Sequence, residues 1–246
     1  MATSGTYTFN LDIIDIIEEA YERCGLELRH GYDITTARRS LNLLLTDWTN
    51  DDVNLWTLDQ VSQDLVSGTA SYALASPALD VLDATIRTIS GSTNTDTSIE
   101  RISIEEYLNI PNKQTTGLPS QYAVERGVSG PTVYLYPTPD NSTYDLYYYR
   151  IRDIQDISLT YTQNADIPKR FLPSLCSGLA FHLGRKNPAK KVLDDQGRPV
   201  DNDGVSIQML QLLKASYDED YTRAKDQDRD RASIHLTPWR GYRGRR

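Results

Sequence analysis

The feature that most constrains this chain is a hydrophobic period that changes twice. From residue 9 to about 48 the apolar residues recur at steps of three and four; from Leu55 to Ile151 they alternate; from Ile167 to Gln227 the steps of three and four return. Helix pair, antiparallel sheet, helix pair implies an α+β body. The predicted architecture is a four-helix bundle core with an inserted antiparallel β-sheet domain. Its parts are an N-terminal helical hairpin (1–52), the β domain (53–165) and the C-terminal helices (166–228), interrupted by an insertion at 187–204.

The first helix holds Phe9, Leu11, Ile13, Ile14, Ile16, Ile17, Ala20, Tyr21 and Cys24 and closes at Gly25, an apolar arc wide enough for more than one neighbour. The second, from Asp33, repeats Ile34, Ala37, Leu41, Leu44 and Trp48. Near the C-terminus, Phe171, Leu175, Leu179 and Leu183 mark a core-facing helix, with Asp166 a candidate cap and Pro168 in the first turn. Pro173 predicts a late start or a kink. The last helix, about 205–227, aligns Ile207, Leu210, Leu213, Tyr217, Tyr221 and Ala224 along one seam. Residues 187–204, with prolines, glycines and aspartates, read as a surface loop or small hairpin.

In the β section the alternation predicts a strand from Trp56 to Val66, a tight turn at 67–70, and a return through Tyr72–Leu74. In the next strand Leu82, Ala84 and Ile86 share one face, and Asp83, Thr85 and Arg87 the other. Residues 91–98 lack an apolar side chain and are expected to be a mobile loop tip. Ser103 to Glu106 has the spacing of a capping box. Strands follow at 121–125, 132–136 and 144–151, the last with Tyr147, Tyr148 and Tyr149 in succession, so that aromatic rings occupy both its faces.

Charge is distributed unevenly. Residues 229–246 contain six Arg and one Asp, whereas the preceding 228 contain 20 basic and 33 acidic residues. This segment reads as an extended cationic arm in which Trp239 and Tyr242 are interleaved with Arg240, Arg243, Arg245 and Arg246 beyond Arg229 and Arg231. Such a composition suits stacking and phosphate attraction, or docking in an acidic, aromatic-lined groove of another protein; a floppy solubilising tail is the bland alternative. The acidic body would repel phosphate at close range, which argues against tight nucleic-acid binding.

No catalytic or metal-binding constellation stands out. His30, His182 and His235 are far apart, and P-loop, G-x-S-x-G and G-x-G-x-x-G patterns are lacking. The aspartates before Gly204 fall short of a calcium loop, because Pro199 and Leu210 would occupy its first and last ligand positions. No cofactor and no enzymatic activity are expected; a wall hydrolase would need two acidic side chains converging in a cleft. The absence of a membrane-length apolar run or a signal peptide fits a chain folded in the cytoplasm, with Cys24 and Cys176 reduced and buried. Sixteen Tyr against three Phe suggest half-exposed surfaces that meet proteins or carbohydrate, although an ordinary Tyr-rich sheet has the same composition.

The order of these segments resembles the head-to-tail adaptors of short-tailed bacteriophages, the tail tubular protein A type. The resemblance lies in the run Ala37-Arg38-Arg39-Ser40-Leu41-Asn42-Leu43-Leu44-Leu45-Thr46-Asp47-Trp48 leading into strands, in Tyr134-Leu135-Tyr136-Pro137 and Tyr147-Tyr148-Tyr149, and in the 167–183 helix. An acidic helix then ends at Asp226-Gln227-Asp228-Arg229-Asp230-Arg231. The larger sheet and the 187–204 insertion depart from the simplest adaptors. The resemblance implies a structural protein of the virion neck, assembled in the bacterial cytoplasm. About a dozen copies would form a ring on the portal, bear the tail nozzle, and let double-stranded DNA pass in genome ejection without specific binding. It further implies that the arm fastens the ring to the portal, and it makes Tyr134, Tyr136, Tyr147 and Tyr149 candidates for contact with the nozzle or a neighbouring subunit. The competing expectation is a carbohydrate- or peptide-binding module using the same tyrosines.

Overall fold

The computed structural model describes residues 5–6, 8–28, 31–51, 55–91, 93–158, 163–189, 191–193, 199–201 and 204–228. Helix α1 (Ile13–Cys24) and α2 (Gly31–Asn50) lead into the strands β1 (Leu58–Asp64), β2 (Ser71–Ala73), β3 (Ala78–Ser90), β4 (Thr93–Ser98) and β5 (Glu100–Ile102). The short α3 (Ile104–Leu108) precedes β6 (Thr116–Gly117), β7 (Gln121–Gly127), β8 (Gly130–Tyr136), β9 (Thr138–Pro139) and β10 (Tyr144–Arg152). Helix α4 (Leu172–Lys186), a small hairpin β11 (Lys191–Leu193) and β12 (Pro199–Asp201), and α5 (Ile207–Gln227) complete the order.

Local signals set the helix ends. Asp12 accepts from the Asp15 amide and Asp15 returns the bond, a reciprocal cap that satisfies free donors of α1. Gly25, at φ +68, ends the helix, and its amide donates to the Glu22 carbonyl. Ser206 caps α5. Ahead of α4, residues Lys169–Phe171 form a 3-10 turn, so the helix begins at Leu172 with Pro173 in its first turn, the late start the proline predicts. Asp166 does not cap it; its carboxylate pairs with Arg152 at 2.5 Å.

The four long helices do not make a four-helix bundle, contrary to the sequence expectation. A bundle shares one central core among four stripes; here α4 itself is the centre, and α1, α2 and α5 are laid around it. Leu175, Cys176, Leu179, Ala180 and Leu183 are buried, and so are Ser174, Ser177, Gly178 and Gly184, which leaves α4 little free face. Gly178 permits the close approach: a Cβ there would lie 2.8 Å from Leu44 and 2.9 Å from Tyr217. Helix α5 buries only Leu213 and Ala224 fully, and its predicted seam begins with Ile207 76% exposed. The periodicity marked which faces are apolar; it did not say that one helix would be enclosed by the others.

The β section is also not one antiparallel sheet. The first sheet runs β1-β10-β3-β4 and is antiparallel; the second runs β2-β8-β7-β5 and pairs β5 parallel to β7. They face each other across a core that includes Val81, Ala84, Ile86, Leu146 and Tyr148 from the first and Tyr72, Tyr122, Val133 and Leu135 from the second. The expected hairpin at 67–70 is a crossing instead, because β1 pairs with β10 while β2 pairs with β8. Residues 93–98, expected as a loop tip, form β4, registered on β3 from Thr85↔Ser98 to Ser90↔Thr93. Leu82 leaves the inward face: the register steps from Asp83 to Val81 between Tyr149 and Arg150, so Leu82 is the extra residue of a bulge and 45% exposed.

Asp80 fastens the two sheets at this bulge. Its carboxylate, with the side chain 10% exposed, meets Arg101 of β5 at 3.0 Å and Arg126 of β7 at 2.5 Å, and accepts from the Val81 amide at 2.9 Å. Burial pushes the Asp80 carboxyl up, but these donors outweigh it and hold the group below the ordinary carboxylate range. Beyond β10 the chain crosses onto α2, where Asn42 exchanges two hydrogen bonds with the Ile157 backbone (2.9 and 3.3 Å).

Candidate interaction surface

The tyrosines singled out in the sequence do not converge. On β10, Leu146 and Tyr148 point into the sandwich core, so Tyr147 and Tyr149 stand on the outer face of the first sheet. On β8, Val133 and Leu135 point inward, so Tyr134 and Tyr136 stand on the outer face of the second. The thickness of the sandwich separates the two pairs, and no concave patch contains all four.

Three of the four rings are engaged or half-covered. The Arg87 guanidinium lies 3.9 Å from the centroid of Tyr147 and is held by a bidentate pair with Asp96 at 2.7 and 2.8 Å. That pair fixes the charge of both partners, raising the pKa of Arg87 and lowering that of Asp96. Tyr134 packs on Tyr107 of α3 with centroids 5.2 Å apart and donates to Glu125 at 2.7 Å; that bond first, and burial second, raise its hydroxyl pKa. Tyr136 is half-buried, whereas Tyr149 is 48% exposed.

The predicted arm, Arg229 to Arg246 with Trp239, Arg240, Tyr242, Arg243 and Arg245, lies outside the described residues. Its point of departure does not. Trp48 of α2, 1% exposed, stacks on Tyr221 of α5, tilts against Phe171, and donates from its indole to the Tyr217 hydroxyl at 3.0 Å. Trp56 also packs on Phe171, with ring centroids 4.9 Å apart, and donates to the Asp166 carbonyl. One turn further, the Tyr221 hydroxyl donates to Asp51 at 2.9 Å, and burial followed by this carboxylate raises its pKa. The Asp228 carboxylate, with 2% of its side chain exposed, then forms an ion pair with Arg170 in the turn before α4.

The end of α5 is thereby fixed to α2 and to the 169–171 turn. The Tyr217–Tyr221 seam is legible in the sequence, but Trp48 as its partner, Trp56 as the partner of Phe171 and Arg170 as the partner of Asp228 are not. Their signal was weak: two tryptophans and an arginine spread over about 120 residues of sequence.

The SU10 adaptor protein family model matches residues 11–241, nearly the whole chain. The chain belongs to the SU10 adaptor protein family. This agrees with the likeness to phage head-to-tail adaptors seen in the sequence, and makes the chain a bacteriophage structural adaptor and a component of the virion neck. No curated protein sequence matches it. Among the adaptor's described residues no group of three or more His, Cys, Asp or Glu could hold a metal ion, and no helix is long and apolar enough to cross a membrane. Cys24 and Cys176 are free and buried; burial pushes each thiol up to about 11. His182, half-buried on α4, is pushed down by burial.

Proposed function

We propose that the adaptor docks as a ring on the portal, extends the channel through which the genome passes, and presents a platform for the tail nozzle. The carrying observation is the mount at the end of α5. A segment with six Arg and one Asp begins directly after a residue that Arg170 and the Trp48–Tyr217–Tyr221 cluster hold in place. A tether of that charge suits a rigid root and an acidic receiver, and membership of an adaptor family supports taking a portal or tail component as that receiver. The body, acidic overall, would repel the phosphates of passing DNA and let them slide. The tyrosine-bearing faces are the surfaces left for the nozzle and for neighbouring subunits, Tyr149 foremost.

Deleting residues 236–246 tests the tether. The truncated protein is expected to keep its far-ultraviolet spectrum and melting temperature while losing co-sedimentation with the portal ring. Attachment at wild-type strength would remove the arm from the mechanism.

A further inference from the structure

Among the described residues, the first sheet ends on both sides, at β1 and at β4, in strands whose outer edge pairs with no further strand. Natural edge strands are commonly blunted by lysine, proline or a bulge. Neither of these has any of the three: β1 reads Leu-Asp-Gln-Val-Ser-Gln-Asp in unbroken register with β10, and β4 reads Thr-Asn-Thr-Asp-Thr-Ser in unbroken register with β3.

The hydrogen-bond alternation shows which groups face outward. The Leu65 amide donates to the Tyr144 carbonyl, and in the same register Gln63, Val61 and Asp59 bond to β10, leaving the amides and carbonyls of Gln60, Ser62 and Asp64 turned out. On the other side the Ile99 amide donates to the Ala84 carbonyl, so Thr97, Thr95 and Thr93 bond to β3, and Asn94, Asp96 and Ser98 turn out. Each edge therefore turns three residues outward, with the Asp64 carbonyl already accepting from the Gln63 side-chain amide at 3.1 Å. All six side chains lie on the outer face, since Gln60 and Ser62 register with Tyr149 and Tyr147, and Asp96 reaches Arg87 above Tyr147.

We infer that β4 of one subunit pairs with β1 of the next, joining the first sheets of neighbouring copies into one belt. This rests on the ring reading above. Strand directions alternate across the sheet, so a neighbour related by rotation about a ring axis presents β1 antiparallel to β4 with the same face outward. Matching the three outward residues places Asn94 opposite Asp64, Asp96 opposite Ser62 and Ser98 opposite Gln60. No two like charges are then opposed. A head-to-tail contact of this kind uses two different edges of one subunit, which fits the lack of lysine, proline and bulges in both, Asp59, Asp64 and Asp96 being their charged residues.

Disulfide trapping in the purified protein tests this. The variant with both Gln60→Cys and Ser98→Cys cannot close on itself, because β10 and β3 hold the two positions about 14 Å apart, three strand spacings. Under mild oxidation it is expected to give a ladder of dimers, trimers and higher species, while each single variant stops at dimer. Adding Asn94→Pro or Ser62→Pro, each at an outward amide and each checked for an unchanged melting temperature, should abolish the ladder. A double variant that stays monomeric or stops at dimer overturns the inference, as does a ladder that survives the folded proline variants. Imaging the Asn94→Pro protein with the portal ring separates the two readings: normal rings refute strand pairing alone, whereas wild-type protein that never attaches refutes the ring reading.

Discussion

Replacing Asp80 by asparagine keeps the volume of the side chain and removes its charge from the junction of the two sheets. The wild-type carboxylate meets Arg101 and Arg126 and accepts the Val81 amide. Arg101 is 37% exposed and Arg126 71%, so water can rescue both cations and the Arg126 bond contributes the smaller share. Charge-assisted hydrogen bonds of this kind put the loss at about 2–3 kcal/mol, less than the cost of stranding a fully buried ion. For a chain of this size that corresponds to a fall in melting temperature of about 4–12 °C. The pH dependence has a fixed sign. A carboxyl held below its ordinary value contributes stability above the unfolded pKa of about 3.9 and loses it as pH falls through the depressed value. The difference between wild type and Asp80→Asn should therefore be constant from pH 8 to 5 and narrow below pH 4. Urea titrations across that range measure it. An Asp80→Asn protein as stable as wild type at pH 7, or a gap that widens in acid, refutes the clamp.

Two further outcomes follow from the helical layer. Tyr217→Phe removes the acceptor of the Trp48 indole and leaves a buried N–H unpaired, so a loss of about 1–2 kcal/mol is expected in urea unfolding followed by tryptophan fluorescence. The two cysteines, with thiol pKa values pushed up to about 11 and side chains enclosed, should resist a thiol reagent at pH 8 in the native protein and both react in denaturant; fast labelling of either in the native state would contradict the packing around α4.

The parts of this fold legible in the sequence are those set by neighbours a few residues away. Gly25 closes α1 as read, although the helix starts only at Ile13, behind its Asp12 cap, so that Phe9 and Leu11 precede it; Ser103 and Glu106 form the capping box of α3, and residues 187–204 contain a small hairpin as their composition suggested. What was hidden depends on partners distant in the chain. The residues of β4 are polar on both faces and read as a loop; backbone pairing with β3 and the Arg87–Asp96 pair make them a strand. The chain from Leu65 to Ala70 looks like a turn, but it crosses between sheets beside the 137–143 crossing, with the Gly68 amide donating to the Pro139 carbonyl and the Ser67 hydroxyl to Asp140. Alternation in 132–136 and 144–151 did reveal that one face of each strand points away from a core. It could not reveal that those outer faces belong to different sheets, which is why four tyrosines close in sequence are not one surface. The same limit applied to α4, whose leucine spacing describes a stripe while Gly178 and Gly184 let its remaining faces be covered as well.

In the proposed function an acidic body is rooted to a cationic tether that finds the portal. Electron microscopy of the full-length adaptor mixed with its portal ring measures this most directly. The predicted image is a closed ring of adaptor copies seated on the portal, with density for residues 229–246 running along it. Adaptor that stays apart from the portal, or a seated ring whose C-terminal segments make no contact with it, would contradict the account.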